Sequence, residues 1–305
     1  MKSKRFLKWF TLPLALVLSL SLVVTGCTDG DDPDPTSTGE TLSGFIDVTG
    51  SNTVTPVSSA WAEEFMDQHP AVSIAVSGPG SGAGIAAFIN KTTDIAQSSR
   101  PMKDSEKQQA TAAGVTVVET RVALDALSVV VNPNNPVSEL TIQQLSDIYS
   151  GKITNWSQLG GNNAPIVALS RDTNSGTYAY FLEEVVQLKL TGNSDKSIQY
   201  APAIQLLPST EVGITQVAQN ANAIFYAGMG YVDNSVKAIA VKKTADDPAV
   251  SPALATAKDG SYAIARYLYF YTDGQPTGII KAFIDFALSP AGQAIVEEMG
   301  FVAIS

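Results

Sequence analysis

Short apolar stretches separated by polar, turn-forming residues recur along the chain from about residue 42 onwards. Each stretch has the length of a β-strand and is rich in β-branched or aromatic residues. The pattern predicts strands at residues 44–48, 72–76, 115–118, 127–131, 166–169, 223–226 and 267–271.

Helical patterns occupy the sequence between these strands. Val57, Trp61 and Phe65 recur every four residues, which places them on one face of a helix. Pro56 suits the first helical position, so a helix is expected over residues 56–68. Further helices are expected to begin near Gly82, Ser105, Thr141, Gly176, Glu211 and Gly278. Strands that alternate with helices are typical of an α/β fold, and the chain is long enough for about two domains.

The first 26 residues have the features of an export signal. Four basic residues and no acidic residue precede the apolar run WFTLPLALVLSLSLVV, which is too short for an ordinary membrane-spanning helix. The Val-Thr-Gly-Cys of residues 24–27 resembles the lipobox of bacterial lipoproteins, in which the cysteine is acylated. We therefore expect lipidation of Cys27 and a flexible tether over residues 27–40, which are rich in turn formers.

The composition narrows the classes of function. The formal net charge is −10 at pH 7, and without the four basic residues of the leader it is −14, from 15 basic against 29 acidic residues. Binding to nucleic acid rests on Lys and Arg side chains that neutralise phosphates, so no nucleic-acid partner is expected. Cys27 is the only cysteine, which removes disulfides and cysteine-ligated metals from consideration.

Three segments share one design, in which an apolar strand leads through a turn of Ser, Thr and Gly into a helix. They are TGSNTVTPVSSAW, SGPGSGAGIAAF and SRDTNSGTYAYF, which begin at residues 49, 77 and 170. The first backbone N–H groups of a helix lack internal partners, and the helix dipole places partial positive charge there. Each segment is therefore a potential anion-binding site.

The third segment adds a permanent positive charge. Arg171 stands four residues before Ser175 and can hold an oxyanion through two hydrogen bonds. Ser175 and Thr177 would supply hydroxyl donors, and Gly176 would let the backbone approach closely. If the three segments converge on one cleft, they form a site for a tetrahedral oxyanion. The alternative is that the serine of each segment only caps its helix.

Several ordered segments resemble one protein family. They are GSNTVTP, GSGAG, TDIAQSSRPM, IYSGKITNW, the Arg-x-x-x-Ser-Gly-Thr of residues 171–177, and YAIARYLYFYT. From about residue 41 to its C-terminus, the chain resembles the extracytoplasmic phosphate-binding proteins of phosphate-specific ABC importers. The resemblance implies an α/β periplasmic-binding-protein fold of two lobes, each a mixed sheet flanked by helices, which closes on a ligand in the cleft between them.

The resemblance also implies that the chain crosses between the lobes twice, at strands near Leu127 and Tyr267. Lobe I is then expected to comprise residues 41–124 and 237–305, and lobe II residues 125–236. A ligand that contacts both lobes only in the closed state would shift the population towards closure.

Position by position, the resemblance assigns phosphate-binding residues to both lobes. Lobe I would supply the side chain of Thr53, the backbone of Val54 and the side chain of Ser81, and lobe II would supply Arg171, Ser175, Gly176 and Thr177. In the best-known branch of the family, an aspartate accepts a proton from the ligand. This distinguishes phosphate from sulfate, because fully ionised sulfate has no proton to offer and is repelled by the carboxylate.

This sequence departs from that branch at the acidic position. Ser99 stands there, followed by Arg100. Arg100 could face the ligand as a second positive charge, or it could form a surface ion pair with Asp94 or Asp104. Asp125, near the expected hinge, could be the substitute acceptor, the partner of Arg100, or a carboxylate that stabilises the hinge.

The implied function is high-affinity binding of inorganic phosphate and its delivery to the permease subunits of an ABC importer. The implied protein is a monomer, held outside the cytoplasm on a membrane by its lipid, without a cofactor or a metal. Sulfate, molybdate or a phosphonate is the alternative ligand, because Ser99 replaces the acidic acceptor. A surface lipoprotein with an adhesive role and no ligand is a further alternative.

An enzyme is not expected. His69 is the only histidine, and neither Ser81 nor Ser175 lies in a Gly-x-Ser-x-Gly elbow. The Gly-x-Gly-x-x-Ala of residues 82–87 resembles a dinucleotide-binding pattern. The acidic residue expected about twenty positions later would fall in a polar helix start rather than at the end of a strand.

Overall fold

The computed structural model describes residues 42–304. The predicted export signal, Cys27 and the tether lie outside these residues. The strands are β1 Gly44–Gly50, β2 Val72–Ser77, β3 Ile95–Ser98, β4 Val117–Val131, β5 Glu139–Thr141, β6 Val167–Arg171, β7 Gln205–Leu207, β8 Ala223–Gly228, β9 Lys237–Ala238, β10 Ala240–Lys242 and β11 Ala265–Asp273.

The helices alternate with these strands, as an α/β fold requires. They are α1 Thr55–Gln68, α2 Ser81–Ile89, α3 Asp104–Ala112, α4 Ile142–Tyr149, α5 Gly176–Phe181, α6 Thr210–Gln219, α7 Leu254–Lys258, α8 Gly278–Leu288 and α9 Pro290–Glu298. Shorter helical turns lie at Trp156–Leu159, Leu182–Val186, Lys189–Thr191 and Met229–Tyr231. The α/β class predicted from the sequence is confirmed.

A mixed sheet runs through the described residues in the strand order β2-β1-β3-β11-β4-β8-β6-β7. β1 is parallel to β2 and β3, whereas β11 is antiparallel to both β3 and β4, and β4 is antiparallel to β8. β9 extends the pairing of β4, and β5 and β10 form a separate parallel pair. The 15-residue strand β4 therefore joins the two halves of the sheet.

Each half of the sheet has its own core. Around the β1 half, helices α1, α8 and α9 bury residues such as Trp61 and Phe283. Around the β8 half, helices α4 and α5 bury residues such as Tyr149, Phe181 and Tyr226. Each half also has a smaller apolar cluster. Because apolar burial is the main stabilising contribution to folding, this division of the buried clusters defines two lobes. Lobe I contains the first core and lobe II the second.

The buried clusters bear on where the chain crosses between the lobes. Val122 packs in the core of lobe I and Ala126 in that of lobe II. Tyr262 and Ile264 also pack in the core of lobe II, although the sequence predicts lobe I for residues 237–305. We therefore propose that lobe II extends to about residue 264 and that β11 makes the return crossing.

Two strands differ from the expected pattern for physical reasons. The sequence predicts separate strands at residues 115–118 and 127–131, but β4 is continuous because β11 pairs with it from Ala126 to Val117. The sequence does not predict β3, whose Ile-Ala-Gln-Ser is buried at all four positions. A short strand buried on both faces has no polar–apolar alternation to reveal it.

Helices α8 and α9 close the outer face of lobe I. Phe283 of α8 and Val296 of α9 lie in its core, and the indole Nε1 of Trp61 donates to the carbonyl of Gly292 at 2.7 Å. Within residues 42–304, no single helix is long and apolar enough to cross a membrane. α8 and α9 reach that length and composition only together, and they are bent by 61°.

Helix α2 approaches β1 closely at Gly84, which makes its position testable. A Cβ at residue 84 would lie 2.4 Å from the Cα of Gly50 and 2.5 Å from the carbonyl oxygen of Thr49. Gly84→Ala should lower the free energy of unfolding by about 1–3 kcal/mol, because backbone atoms cannot move aside as a flexible side chain could. Urea denaturation measures this change.

The matched control is Ala86→Ser, on the exposed face of the same helix. It should change the free energy of unfolding by less than about 0.5 kcal/mol. A Gly84→Ala protein as stable as the wild type would show that α2 and β1 are not in close contact.

Candidate functional site

Two helices begin opposite each other where the lobes meet. α2 of lobe I starts at Ser81, and α5 of lobe II starts at Gly176. A Cβ at Gly176 would lie 2.2 Å from the Oγ of Ser81 and 2.6 Å from the Oγ of Ser99. The N–H of Gly82 donates to the carbonyl of Asn174 at 3.0 Å. The start of α5 therefore packs directly against lobe I.

The turn before α1 joins the same interface. The Oγ1 atoms of Thr53 and Thr177 are 3.0 Å apart, and both residues are 2% exposed. Val54 is buried beside Thr53, and its backbone N–H donates to the carbonyl of Ser51 at 3.1 Å. The three segments that the sequence singles out as potential anion-binding sites thus meet between the lobes.

Ser81 and Ser99 are linked by hydrogen bonds. Their Oγ atoms are 3.3 Å apart, and the backbone N–H of Ser99 donates to the Oγ of Ser81 at 3.1 Å. Both residues are fully buried. Ser99 therefore brings a hydroxyl, not a carboxylate, to the interface.

Ser175 caps helix α5. Its Oγ accepts hydrogen bonds from the N–H groups of Thr177 and Tyr178 at 3.2 and 3.3 Å. These are two of the N–H groups that a helix start leaves without internal partners. A hydroxyl that accepts two hydrogen bonds still has its own proton to donate. The capping role and a ligand role for Ser175 are therefore compatible.

Arg171 is buried at the end of β6, with 2% of the residue exposed. Its Nη1 donates to Asn52 Oδ1 at 3.1 Å and to Thr210 Oγ1 at 2.6 Å, and its Nη2 donates to the carbonyl of Pro208 at 3.1 Å. Its Nε has no hydrogen-bond partner among residues 42–304. Burial lowers the pKa of this guanidinium, but a guanidinium stays protonated in proteins. The carboxylate of Asp172 lies 3.9 Å from Nη2, beyond hydrogen-bond distance, and is partly exposed. The charge of the guanidinium is therefore only partly compensated and can still attract an anion.

Asn52 connects the two lobes, and the sequence analysis does not assign it to the site. Its Oδ1 accepts hydrogen bonds from Arg171 Nη1 and from the N–H and Oγ1 of Thr210, the latter two at 3.2 and 3.0 Å. Its carbonyl accepts from the hydroxyl of Tyr231 at 2.6 Å. The position of Asn52 within the GSNTVTP segment was the signal that could have identified it.

A second buried guanidinium, that of Arg266, lies on β11 opposite Asp125 of β4. Its Nε and Nη2 donate to Asp125 Oδ2 at 3.3 and 3.1 Å, and Nη2 also donates to Thr177 Oγ1 at 2.8 Å. The other oxygen of Asp125 accepts from the N–H of Met229 at 3.2 Å. The prediction that Asp125 pairs with Arg100 is wrong, since Arg266 is its cross-strand neighbour. The sequence analysis does not assign Arg266 to the site.

The Arg100 guanidinium instead binds Glu106. Its Nη1 and Nη2 donate to the two carboxylate oxygens at 2.8 and 2.7 Å. The predicted ion pair of Arg100 with Asp94 or Asp104 is wrong, because Glu106 of α3 is held in reach by the N–H of Lys103. The role of Arg100 as a ligand residue stays a prediction.

The residues of this interface offer donors for an anion rather than ligands for a cation. Hydroxyl groups, helix N–H groups and two guanidinium groups surround it. Over the described range 42–304, no three His, Cys, Asp or Glu side chains lie close enough together to hold a metal ion. The two-lobed fold and its interlobe donors define the class as a solute-binding protein.

Comparisons with known proteins agree with this class. The chain matches the family described as PBP superfamily domain over residues 35–291. "Phosphate-binding protein PstS" from Staphylococcus saprophyticus is 32% identical over 298 residues, which cover 94% of this chain and 88% of that protein. The chain therefore belongs to the PBP superfamily, in the family of the phosphate-binding proteins PstS.

Solved structures show the same fold. A Clostridium perfringens protein described as the substrate-binding protein of a phosphate ABC transporter, with bound phosphate, is 35% identical, with a TM-score of 0.76 over 86% of this chain and 100% of that chain. An ABC-type phosphate transport receptor from Vibrio cholerae is 32% identical, with a TM-score of 0.67 over 84% and 99%. The family and the two-lobed fold expected from the sequence are confirmed.

The ion pair of Arg100 makes stability depend on pH through Glu106. Burial opposes ionisation of the Glu106 carboxyl, but hydrogen bonds from Arg100 and the N–H of Lys103 lower its pKa below the ordinary value of 4.5. A carboxyl with a lowered pKa stabilises the fold above 4.5 and loses this contribution as the pH falls through its folded pKa. Glu106→Gln should therefore be less stable than the wild type at neutral pH, and this difference should shrink below pH 4.5.

Urea denaturation at a series of pH values measures the difference. Glu63→Gln, at an exposed carboxyl of α1, is the matched control and should change the free energy of unfolding by less than about 0.5 kcal/mol at neutral pH. A Glu106→Gln difference that is constant over the whole range would show that the ion pair does not govern the acid response.

Proposed function

We propose that this protein binds inorganic phosphate between its two lobes and delivers it to the permease subunits of an ABC importer. The observation that carries the proposal is the meeting of two helix starts, at Ser81 and Gly176, in an interface where the guanidinium of Arg171 also contacts lobe I through Asn52. Helix N–H groups, hydroxyls and guanidinium groups all donate to the oxygens of a phosphate. The names of the relatives, which describe phosphate-binding proteins and phosphate transport receptors, support this ligand.

The proposed ligand residues come from both lobes. They are Thr53, the backbone of Val54, Ser81 and Ser99 on lobe I, and Arg171, Ser175, Gly176 and Thr177 on lobe II. Each charge-assisted hydrogen bond contributes about 1.5–3 kcal/mol, and a micromolar dissociation constant corresponds to about 8 kcal/mol. Several donors are therefore needed. Because they lie on both lobes, phosphate would favour the closed state.

Ser99 bears on the choice between phosphate and sulfate. A hydroxyl can accept a hydrogen bond from the O–H of hydrogen phosphate, and it can equally donate one to an unprotonated oxygen. An aspartate at this position could only accept, and its charge would repel sulfate. We propose that phosphate is the ligand and that its advantage over sulfate is smaller here than where an aspartate stands.

We also propose that the protein acts outside the cytoplasm, as a monomer anchored by lipid on Cys27, and that it binds its ligand without catalysis. The basic and apolar leader and the Val-Thr-Gly-Cys segment support the export and the anchor. The relatives described as substrate-binding proteins of transporters support a binding role rather than a catalytic one.

Removing the Arg171 guanidinium tests the proposed function. Arg171→Ala should weaken phosphate binding by at least about tenfold, because one charge-assisted donor contributes about 1.5–3 kcal/mol. Isothermal titration with phosphate and with sulfate measures both dissociation constants, and circular dichroism checks the fold. Arg121→Ala, at an exposed guanidinium that stacks on Tyr267, is the control and should bind phosphate as the wild type does.

The outcomes distinguish a wrong assignment of Arg171 from a wrong proposed function. Near-normal phosphate affinity in Arg171→Ala would remove this side chain from the site. A wild-type protein that binds no phosphate would contradict the function itself, and a preference for sulfate would identify the other oxyanion as the ligand.

Removing the cap of α5 should affect both the stability of the protein and its binding of phosphate. Ser175→Ala removes the acceptor of two N–H groups and should lower the free energy of unfolding by about 1 kcal/mol. It should also weaken phosphate binding, though by less than Arg171→Ala, because it removes a neutral donor. Thermal melting and titration together measure the two effects. An unchanged dissociation constant with lowered stability would leave Ser175 as a cap alone.

A further inference from the structure

We propose that Arg266 is a second guanidinium of the anion site, that it contacts bound phosphate directly, and that Asp125 positions it. The inference rests on the proposed function and extends it to a residue outside the segments that resemble helix starts. It concerns the strand β11, which passes between the lobes.

Arg266 lies one hydrogen bond from a hydroxyl of lobe II and two from a hydroxyl of lobe I. Its side chain is 2% exposed, and its Nη2 donates to Thr177 Oγ1 at 2.8 Å. That hydroxyl is in turn 3.0 Å from Thr53 Oγ1 on lobe I. An oxyanion that contacts the hydroxyls of Thr53 and Thr177 therefore comes within reach of this guanidinium.

The geometry of a guanidinium shows which of its donors can serve a ligand. Nε and Nη2 form one edge of the planar group, and both donate to Asp125. Nη1 and Nη2 form the end of the group, and its Nη2 donates to Thr177. Because the donor directions of the planar guanidinium are fixed, the edge formed by its Nη1 and Nη2 faces the side on which Thr177 lies.

Nη1 on this edge has no hydrogen-bond partner in the part of the chain that the structure describes. A buried donor without an acceptor is unfavourable, so such groups mark either strain or the place of a ligand. An oxygen of phosphate would satisfy Nη1, and the pair of Nη atoms can hold one anion through two hydrogen bonds.

A crevice gives this side chain a route to solvent. It has a volume of about 290 Å³ and includes residues of both lobes and of β11. Its cationic lining residues are Arg100, Lys103, Lys189 and Arg266. The lining also includes Glu183 and Glu184, and Glu184 forms an ion pair with Lys189. Arg100 is already held by both carboxylate oxygens of Glu106, whereas Arg266 has a buried donor without a partner among the described residues.

Asp125 has the contacts of a positioning residue rather than of a proton acceptor for the ligand. Its Oδ2 accepts from two nitrogens of Arg266, and its Oδ1 accepts from the N–H of Met229. It is fully buried. The carboxylate fixes one edge of the guanidinium and thereby sets the direction of the other.

Four variants test this assignment by titration with phosphate. Arg266→Gln should weaken binding by about tenfold or more, because a charge-assisted donor is lost. Arg266→Lys should lose less, because it keeps the charge. Asp125→Asn should weaken binding in the wild-type background but cause no further loss in the Arg266→Gln background, because Asp125 acts through Arg266. Arg121→Gln, the same change at an exposed arginine of β4, is the control.

Each outcome decides for or against the inference. The double variant, Asp125→Asn with Arg266→Gln, leaves no unpaired buried charge, so the test remains valid if Arg266→Gln alone fails to fold. Wild-type affinity in either of these proteins overturns the inference and leaves the proposed function intact. Equal losses in Arg266→Gln and Arg266→Lys, with an additive effect of Asp125→Asn, would reduce Arg266 to a packing role and also overturn it. A wild type without phosphate affinity would instead contradict the proposed function.

Discussion

The interface between the lobes depends on one close contact, that of Gly176 with lobe I. A side chain at this position would meet the hydroxyl oxygen of Ser81 at 2.2 Å, so the approach is open to glycine alone. The contact places the start of α5 beside the start of α2 and brings their N–H groups and hydroxyls into one small volume. Donors that converge from two rigid bodies suit a small solute with acceptors on all sides, such as a tetrahedral oxyanion.

The protein reconciles an acidic chain with an anionic ligand through local burial of cations. Its net charge of −10 repels anions at long range. Arg171 donates its hydrogen bonds to the neutral acceptors Asn52, Thr210 and Pro208, and the partly exposed carboxylate of Asp172 lies 3.9 Å from its Nη2, so its charge is only partly compensated. Arg266 shares its charge with Asp125. Both guanidinium groups therefore have a carboxylate nearby, more distant for Arg171 than for Arg266. An anion that loses its hydration on binding needs such donors at close range.

Local pattern predicted much of the fold but could not define all of it. The strands with several consecutive apolar residues and the helix starts at Ser81 and Gly176 follow from spacing and capping chemistry, which act over a few residues. β3 escaped prediction because its polar Gln97 is buried and donates to the carbonyls of Ser51 and Ser77 as well as to Thr55. The sequence predicts the return to lobe I at residue 237, ahead of the return that we propose in β11, because β9 and β10 are only two and three residues long and give little strand signal.

The residues of the candidate site also differ in how far local sequence identifies them. Ser81, Ser175 and Gly176 carry their signal in their own segments, because a helix start has a local sequence. Arg266 lies in the YAIARYLYFYT segment, but its partner cannot be read from that segment, since Asp125 lies 141 positions away and only the antiparallel register of β11 on β4 brings the two together. Arg266 lies on the strand that crosses between the lobes, and it donates to Thr177 of lobe II, whose hydroxyl is in turn hydrogen-bonded to Thr53 of lobe I. Partners that strand pairing sets are therefore not encoded by spacing along the chain, and only the folded structure identifies them.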